Sequence, residues 1–522
     1  MRTRLSLPLL FLFLASLQAN AQEFFFDNSF GSNGRVITPL TVGDADHGTS
    51  VAIQPDGRIV AACRRDAGGG NFLIAVLRFL PDGTLDSTFS TNGIATISFG
   101  QSCYPDAVAV RSDGKIVVGG TTYHPTEFND LLFARMNSDG SLDGTFGSGG
   151  MFTISSPAAQ DHVMGMSAMP DGRLLASAQL LGGFSVMRFL NDGSPDPSFN
   201  SNGQLLITDG TIFSGRGLAI MPDDRILVTG SSVDQVDTNY AVIRSDVNGA
   251  YDDTFGDTGV VRSIDPDHLD DIFNANLLAD GKLLLVGVRR SLDLQHYSVL
   301  LRRMNADGTW DNSFGTNSTT VIPVTGSDVP NVNDVVTTAD GKLFMANAIT
   351  DSLTTDRYIQ FTRLSADGVL DPSFGVGGIL SWHCDGSSYC DINDLLVQSD
   401  GRVVGIGTLG QVGNTDALTV RLFPQVVAGV EDVHVDPATF SIAPDPASDH
   451  VVLQFDLPTA QLVSMDLFDP LARKSVAIAD RYFPAGRASV QLAWSGDVPN
   501  GSYFVRVRTN DGARVQHLII QR

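Results

Sequence analysis

The chain is predicted to be all-β, a seven-bladed β-propeller closed by its N-terminal strand and followed by a small Ig-like β-sandwich. Three observations carry this. The phrase Asp-x-Ser/Thr-Phe recurs at Asp27, Asp86, Asp143, Asp196, Asp252, Asp311 and Asp371, with successive phenylalanines 53 to 60 residues apart. A second phrase, Asp-Gly-Lys/Arg before an apolar run, recurs in the same phase at Asp56, Asp113, Asp171, Asp280, Asp340 and Asp400, while the copy at Asp223-Asp224-Arg225 lacks the glycine. Helical periodicity is absent throughout, and a repeat of this period means units that bury their apolar faces against their neighbours.

Residues 1–21 read as a secretory signal: Arg2 and Arg4 precede the apolar stretch Leu5 to Leu17, and Ala19-Asn20-Ala21 is a small-residue cleavage site. The propeller is assigned to residues 22–423. In its second unit Ala107 to Val110 is an apolar strand, Ser112-Asp113-Gly114-Lys115 is a turn, and Ile116 to Val118 is the return strand. Asp-Gly between two such runs signals a hairpin with a two-residue primed turn. A third strand follows at Leu131 to Arg135, a second turn at Ser138-Asp139-Gly140, and a fourth strand at Gly150 to Ile154. Four short strands per repeat suit a propeller blade, and a parallel β-helix is the minor alternative.

Closure follows from an unpaired arginine. Arg78, Arg135, Arg188, Arg244, Arg303 and Arg363 each stand eight residues before the aspartate of the next phrase, whereas Arg421 has no such aspartate and Asp27 has no such arginine. The two halves complete each other if Gly34 to Thr38 adds the last strand to the final blade, which leaves no open edge. These phrases resemble the delta-60 repeat, a bacterial β-propeller family that also carries the name of a domain of unknown function. The resemblance covers about residues 27 to 423 and implies fold and export more than it implies a reaction.

Residues 424–439 read as a linker, and residues 440–522 as a separate all-β module with alternating strands such as Val451 to Phe455 and Tyr503 to Val507. Its opening Phe440 to Asp449, including Pro444 and Pro446, its Asn500-Gly501-Ser502-Tyr503 and its closing Leu518 to Arg522 resemble the type A C-terminal sorting domain of the type IX secretion system. The chain departs from that pattern at Asp445, where the family has asparagine, and at His517, where it has lysine. The resemblance implies type IX secretion machinery as a partner and a secreted protein, extracellular or on the outer-membrane surface.

Composition narrows the function. With 34 basic and 58 acidic residues the net charge is -24, which repels nucleic acid, and no polybasic patch suits a membrane surface. Beyond the signal, no apolar run is long enough to span a bilayer. Four cysteines cannot frame a chain of 522 residues; Cys384 and Cys390 enclose a loop short enough for a disulfide or stand as separate thiols, and the pairing of Cys63 and Cys103 is open.

Catalytic and metal chemistry is weakly signalled. A charged residue found once per unit at fixed spacing most simply satisfies its own blade, so the seven arginines and seven aspartates are assigned to the scaffold. Asn305 to Asp311 resembles the middle of an EF-hand loop, but the first ligand position falls on Arg303, where calcium needs oxygen. Asp46-His47 and Asp161-His162 stand at equivalent places ahead of the Asp-Gly turn and are expected to be solvated loop residues, without zinc-ligand spacing. There is no Gly-x-Ser-x-Gly elbow and no P-loop. No catalytic residue, metal or cofactor is assigned.

Function is therefore expected where blades differ, in the loops Arg64 to Gly70, Thr121 to Asp130, Ser231 to Thr238, Arg289 to Gln295 and Thr350 to Asp356. The expected role is a binding module for a surface ligand, glycan or protein. The alternative is a glycan-active hydrolase or lyase with paired carboxylates at the central opening, on fold analogy alone.

Overall fold

The computed structural model describes residues 25–41, 45–123, 129–155, 161–180, 183–207, 212–233, 238–263, 265, 267–292, 296–324, 331–350, 357–375, 377–411, 413–423, 440–443, 447–448, 450–457, 461–468, 474–493, 501–509 and 512–521. The signal segment 1–21, the linker 424–439, Pro444, Pro446 and Arg522 lie outside them. The chain divides into two compact units, one spanning Phe25–Val426 and one reaching the C-terminus from Val427.

The first unit holds seven four-stranded antiparallel sheets. Blade 1 is His47–Ile53, Ile59–Asp66, Phe72–Phe79 and Ile94–Ile97, and blade 2 is Ser102–Val110, Ile116–Tyr123, Asp130–Met136 and Met151–Ile154. The inner strands of blades 3 to 7 are His162–Ala168, Ile212–Ile220, His268–Leu277, Asn331–Thr337 and Tyr389–Val397. In blades 1 to 6 the strands follow in chain order from the inside outward. Blade 7 takes three strands from Tyr389–Val397, Val403–Gln411 and Asn414–Leu422, and its fourth from Arg35–Thr38, in register Arg35 with Val420 and Thr38 with Ala417. The inner strands touch one another in sequence, and Tyr389–Val397 touches His47–Ile53.

Apolar side chains fill the spaces between blades. One buried cluster joins Val60 and Val76 of blade 1 to Val118 and Leu132 of blade 2, and another joins Ile59 and Ala61 of blade 1 to Val404 and Ile406 of blade 7. The mid-strand residues face a neighbouring blade on both sides, so they read as continuous apolar runs rather than alternating ones.

The Asp-Gly hairpins differ from the expected primed turn. Arg111 N–H donates to the Lys115 carbonyl at 2.9 Å and Gly114 N–H to the Arg111 carbonyl at 2.9 Å, and within the loop only Gly114 takes a positive φ, +81°. This is a three-residue loop ending in a left-handed residue, which one glycine satisfies, whereas a primed two-residue turn needs two positive φ values. The variant copy keeps the same hydrogen bonds around Asp224, which sits at φ 64° and so carries strain of about 1 kcal/mol that glycine would not.

Several strands run further than their apolar cores suggest. Arg64 to Asp66 and Thr121 to Tyr123, expected in loops, belong to strands: Arg64, Thr121 and Thr122 pair along both edges, and Arg65, Asp66 and Tyr123 along one. Ser231 to Val233 and Arg289 to Ser291 likewise belong to strands. Main-chain pairing continues through polar residues because the neighbouring strands offer partners whatever the side chain.

The second unit holds two sheets, Phe440–Ala443, His450–Leu457 and Gly486–Ala493 in one, and Lys474–Phe483, Gln461–Phe468, Gly501–Thr509 and Gly512–Ile520 in the other. Val451, Leu453, Val463, Val505 and Leu518 share one buried cluster across both. Tyr503 belongs to that core, and Gly501 opens a strand paired with Ile520.

Candidate functional site

The propeller unit has two chemically different faces. Each Asp-Gly turn joins the inner strand to the second strand, and each Asp-x-Ser/Thr-Phe phrase follows the end of the third, so all repeated side chains gather on one face. The opposite face carries the connections that differ between blades.

On the repeated face the seven arginines and aspartates form one clasp built seven times. In blade 1, Asp86 Oδ1 accepts from Thr88 N–H at 3.0 Å and from its hydroxyl at 2.6 Å, while Oδ2 accepts from Arg78 Nε at 3.0 Å. The same bond joins Arg135 to Asp143, Arg188 to Asp196, Arg244 to Asp252 and Arg303 to Asp311, each at 2.7 Å, and Arg363 and Asp371 form an ion pair at 3.0 Å. Arg421 Nε donates to Asp27 Oδ2 at 2.7 Å, across almost the whole unit in sequence. Each guanidinium also lies over the phenylalanine of its phrase, as Arg78 does over Phe89 at 4.6 Å. Arg78, Arg135, Arg188, Arg244 and Arg303 reach a carbonyl in the next blade, and Arg421 reaches Pro81 of blade 1.

A second cation completes each clasp, and the sequence reading missed it. The Lys or Arg of the Asp-Gly phrase meets the later aspartate: Arg58 with Asp86 at 2.8 Å, Lys115 with Asp143 at 2.7 Å, Lys282 with Asp311 at 2.8 Å, and Arg402 with Asp27 at 2.9 Å. Blades 3, 4 and 6 do the same through Arg173, Arg225 and Lys342. The signal was the common phase of the two phrases. Burial alone would raise the Asp86 carboxyl, but the Thr88 bonds and the two cations outweigh it and hold it at about 2.

The inner wall carries a belt of polar residues that match only between blades 6 and 7. Asp394 accepts from Leu395 N–H at 2.9 Å, Ser50 hydroxyl at 2.8 Å and Val51 N–H at 2.8 Å, and Ser50 in turn accepts from Val108 N–H at 3.2 Å. Asn274 donates to Asp334 at 2.9 Å, so the belt touches blades 5 and 6, and then blades 7, 1 and 2. Enclosure raises both carboxyls, Asp394 to about 6, and the charge of Asp394 raises Asp334 further. The two carboxylates feel each other's charge, yet both oxygens of Asp394 are occupied by main-chain and hydroxyl donors. They staple blades together.

Every inner strand also holds a β-bulge, which takes Thr49, Asp106, Phe273 and Asn393 out of the cross-strand register. Solvent reaches all four, and Asp106, ringed by protein, is raised to about 7. Asp106 accepts from the Thr121 hydroxyl at 2.9 Å, which lies 3.4 Å from His162 Nδ1. An equivalent contact joins Thr408 to His47 Nδ1 at 3.3 Å. Thr121 and Thr408 are buried, so these chains bridge blades rather than present a nucleophile.

The two histidines are not solvated loop residues. Both open inner strands, and burial with the charge of Arg64 lowers His47 to about 4, while burial lowers His162. Asp46 is buried because its carboxylate ties the incoming connection, accepting from Leu40, Thr41 and Asp66 N–H at 2.8 to 2.9 Å.

The variable face is richest where blades 7, 1 and 2 meet. Arg64 lies over Phe72 at 4.7 Å and Tyr104 at 5.8 Å; Tyr104 packs on Phe72 at 5.3 Å and edge-on to Tyr123 at 6.3 Å. On the blade 7 side His47 meets Tyr389 at 5.9 Å, Arg357 lies over Tyr389 at 4.3 Å, and Tyr389 donates to Asp391 at 3.1 Å. Tyr123 is 44% exposed. Only Arg64 and Tyr123 of this group fall in the loops singled out from sequence, because the cluster is drawn from residues more than three hundred positions apart. Nearby, Cys384 and Cys390 form a disulfide, while Cys63 and Cys103 are free and buried. Among the described residues no three His, Cys, Asp or Glu side chains group as a metal site, and no helix is long and apolar enough to cross a membrane.

A family model described as a domain of unknown function (DUF5122) beta-propeller matches residues 54–89, 111–146 and 170–199, segments that run from an Asp-Gly turn to the phenylalanine of the next phrase. The chain is a β-propeller repeat protein. It is similar to a protein of unknown function from Dyadobacter fermentans at 13% identity, over 75% of this chain and 98% of that one, with a TM-score of 0.40. It is also similar to the β-propeller domain of the trilobed protease from Pyrococcus furiosus at 10% identity, over 73% and 94%, TM-score 0.38. A GH93 α-L-arabinofuranosidase of Fusarium graminearum matches at 10% identity, over 74% and 97%, TM-score 0.38. No curated protein matches.

Proposed function

We propose that this propeller is an exported binding module, held shut by its N-terminal strand, displayed at the cell surface or released, and delivered by its C-terminal sorting domain. The observation that carries the binding reading is the asymmetry of the two faces. Repeated charges are consumed in clasps on one face, while aromatic and cationic side chains at the junction of blades 7, 1 and 2 stay open to solvent on the other. Rigid scaffolds with half-exposed tyrosine and arginine are where recognition concentrates. Catalysis is less favoured, since the enclosed carboxylates Asp334 and Asp394 are spent on blade contacts.

Screening the mature chain against a glycan and cell-surface panel tests the binding reading. A hit is expected to weaken about tenfold in Tyr104→Ala and Tyr123→Ala, the cost of losing an aromatic contact at a recognition centre. A hit that both variants retain in full would place the site elsewhere. Export is tested separately by deleting residues 440–522. The truncated protein is expected to fold its propeller and stay in the periplasm, and normal surface display would sink the sorting assignment.

A further inference from the structure

We propose that Arg64, with the rings of Phe72, Tyr104 and Tyr123, recognises the carboxylate of an acidic sugar, a uronate unit of a surface or environmental polysaccharide. This rests on the binding reading above and names its ligand class. The clasp arginines donate to carboxylates, hydroxyls and carbonyls, whereas the Arg64 side chain makes no hydrogen bond or ion pair among the described residues. Its Nε is buried without a partner, and burial lowers its proton affinity. A half-buried guanidinium without a counter-charge is costly, and an anion meeting its terminal nitrogens, which are not enclosed as Nε is, would offset that cost.

The carboxylates close enough to influence Arg64 are engaged elsewhere. Asp46 accepts three main-chain N–H groups, and Asp66 Oδ1 accepts Gly68 N–H at 2.7 Å. The ring stack beneath the guanidinium holds its plane, which suits bidentate pairing with a planar carboxylate better than a lysine would. Beside it, the exposed ring of Tyr123 and the part-exposed ring of Tyr104 offer apolar surface with a hydroxyl at the edge, the arrangement that accepts a pyranose. The net charge of -24 opposes long, dense polyanions, so one carboxylate held locally fits better than a charged strand tracked along the surface.

The test is calorimetric titration of the mature chain with oligogalacturonate, with the same oligosaccharide after reduction of its carboxyls, and with a sulfated heparin fragment. The acidic form is expected to bind at least about tenfold more tightly than the reduced form, and Arg64→Gln to erase that difference while its melting temperature stays at the wild-type value. Arg64→Lys should recover only part of it. Equal binding of the acidic and reduced forms, still lost in Tyr104→Ala, would overturn the carboxylate assignment and leave the binding reading standing. Tighter, Arg64-dependent binding of the heparin fragment would overturn the uronate assignment in favour of sulfate. Binding indifferent to both Arg64→Gln and Tyr104→Ala, or no binding of any of the three, would overturn the inference.

Discussion

Removing residues 22–40 is expected to lower the melting temperature of the propeller by roughly 10 °C or more, or to abolish cooperative unfolding altogether. The segment supplies the fourth strand of blade 7, whose loss would leave Asn414–Leu422 as an open edge. It also supplies Phe25, Phe26 and Phe30, all buried; Phe25 packs on Phe344, Phe361 and Phe374 of blade 6, and Phe30 lies beneath Arg421 at 4.7 Å. Truncating a buried phenylalanine costs about 3–5 kcal/mol, and stranding a buried charge costs a similar amount. Together these rival the whole stability of an ordinary domain, about 5–15 kcal/mol. The point variant Asp27→Ala should match Asp196→Ala within experimental error, because both remove the acceptor of the same clasp. Scanning calorimetry reads both comparisons, and a truncated protein that melts with the intact one would show that the ends do not hold the ring.

Arg188→Ala should destabilise the propeller by about 3–5 kcal/mol at neutral pH, the cost of leaving a buried partner charge behind. Arg188 is 1% exposed and donates to Asp196 at 2.7 Å and to the Ser198 hydroxyl at 2.9 Å, while also reaching the Val247 carbonyl in blade 4 and covering Phe199. Arg188→Lys should recover little, since one ammonium cannot span those acceptors. The pH dependence has a definite sign. Asp196 is held at about 2, below its unfolded value, by Ser198 and the two arginines against the opposing effect of burial. Its contribution is therefore complete above the unfolded carboxylate range and is lost as the pH falls through about 2, below which the carboxylate is neutral in both states. Urea denaturation at pH 7 and near pH 2.5 should show the gap between wild type and variant closing on acidification. A variant as stable as wild type at pH 7 would remove the clasp from the account of stability.

Much of the clasp could be read from spacing, because each part is a local pattern repeated in phase. The orphaned Arg421 and Asp27 pointed to each other for the same reason. The second cation of the clasp was harder to see, since Arg58 and Asp86 are brought together by the hairpin and third strand that intervene. The inner belt was invisible for a different reason. Ser50, Asn274, Asp334 and Asp394 stand at equivalent positions but match only in the last two, and Ala107, Gly165 and Gly217 fill the remaining places. Those small residues reflect the same crowding at the inner wall: a Cβ on Gly217 would come within 2.7 Å of the Ala275 nitrogen in the next blade. A search for identity cannot find positions that share only a place.

By itself, then, the sequence determined the all-β class, the number of repeats and the residues that join one blade to the next, because these depend on periodicity and on partners at constant separation. The tertiary structure alone decided which side chains remain for recognition. Arg64, Phe72, Tyr104, Tyr123 and Tyr389 come together because the circular order of the inner strands sets blade 7 against blade 1. Whether an arginine is spent or left open depends on its surroundings in space. Arg78 and Arg64 lie on adjacent strands of one blade, yet the first has Asp86 beneath its guanidinium and the second has only aromatic rings.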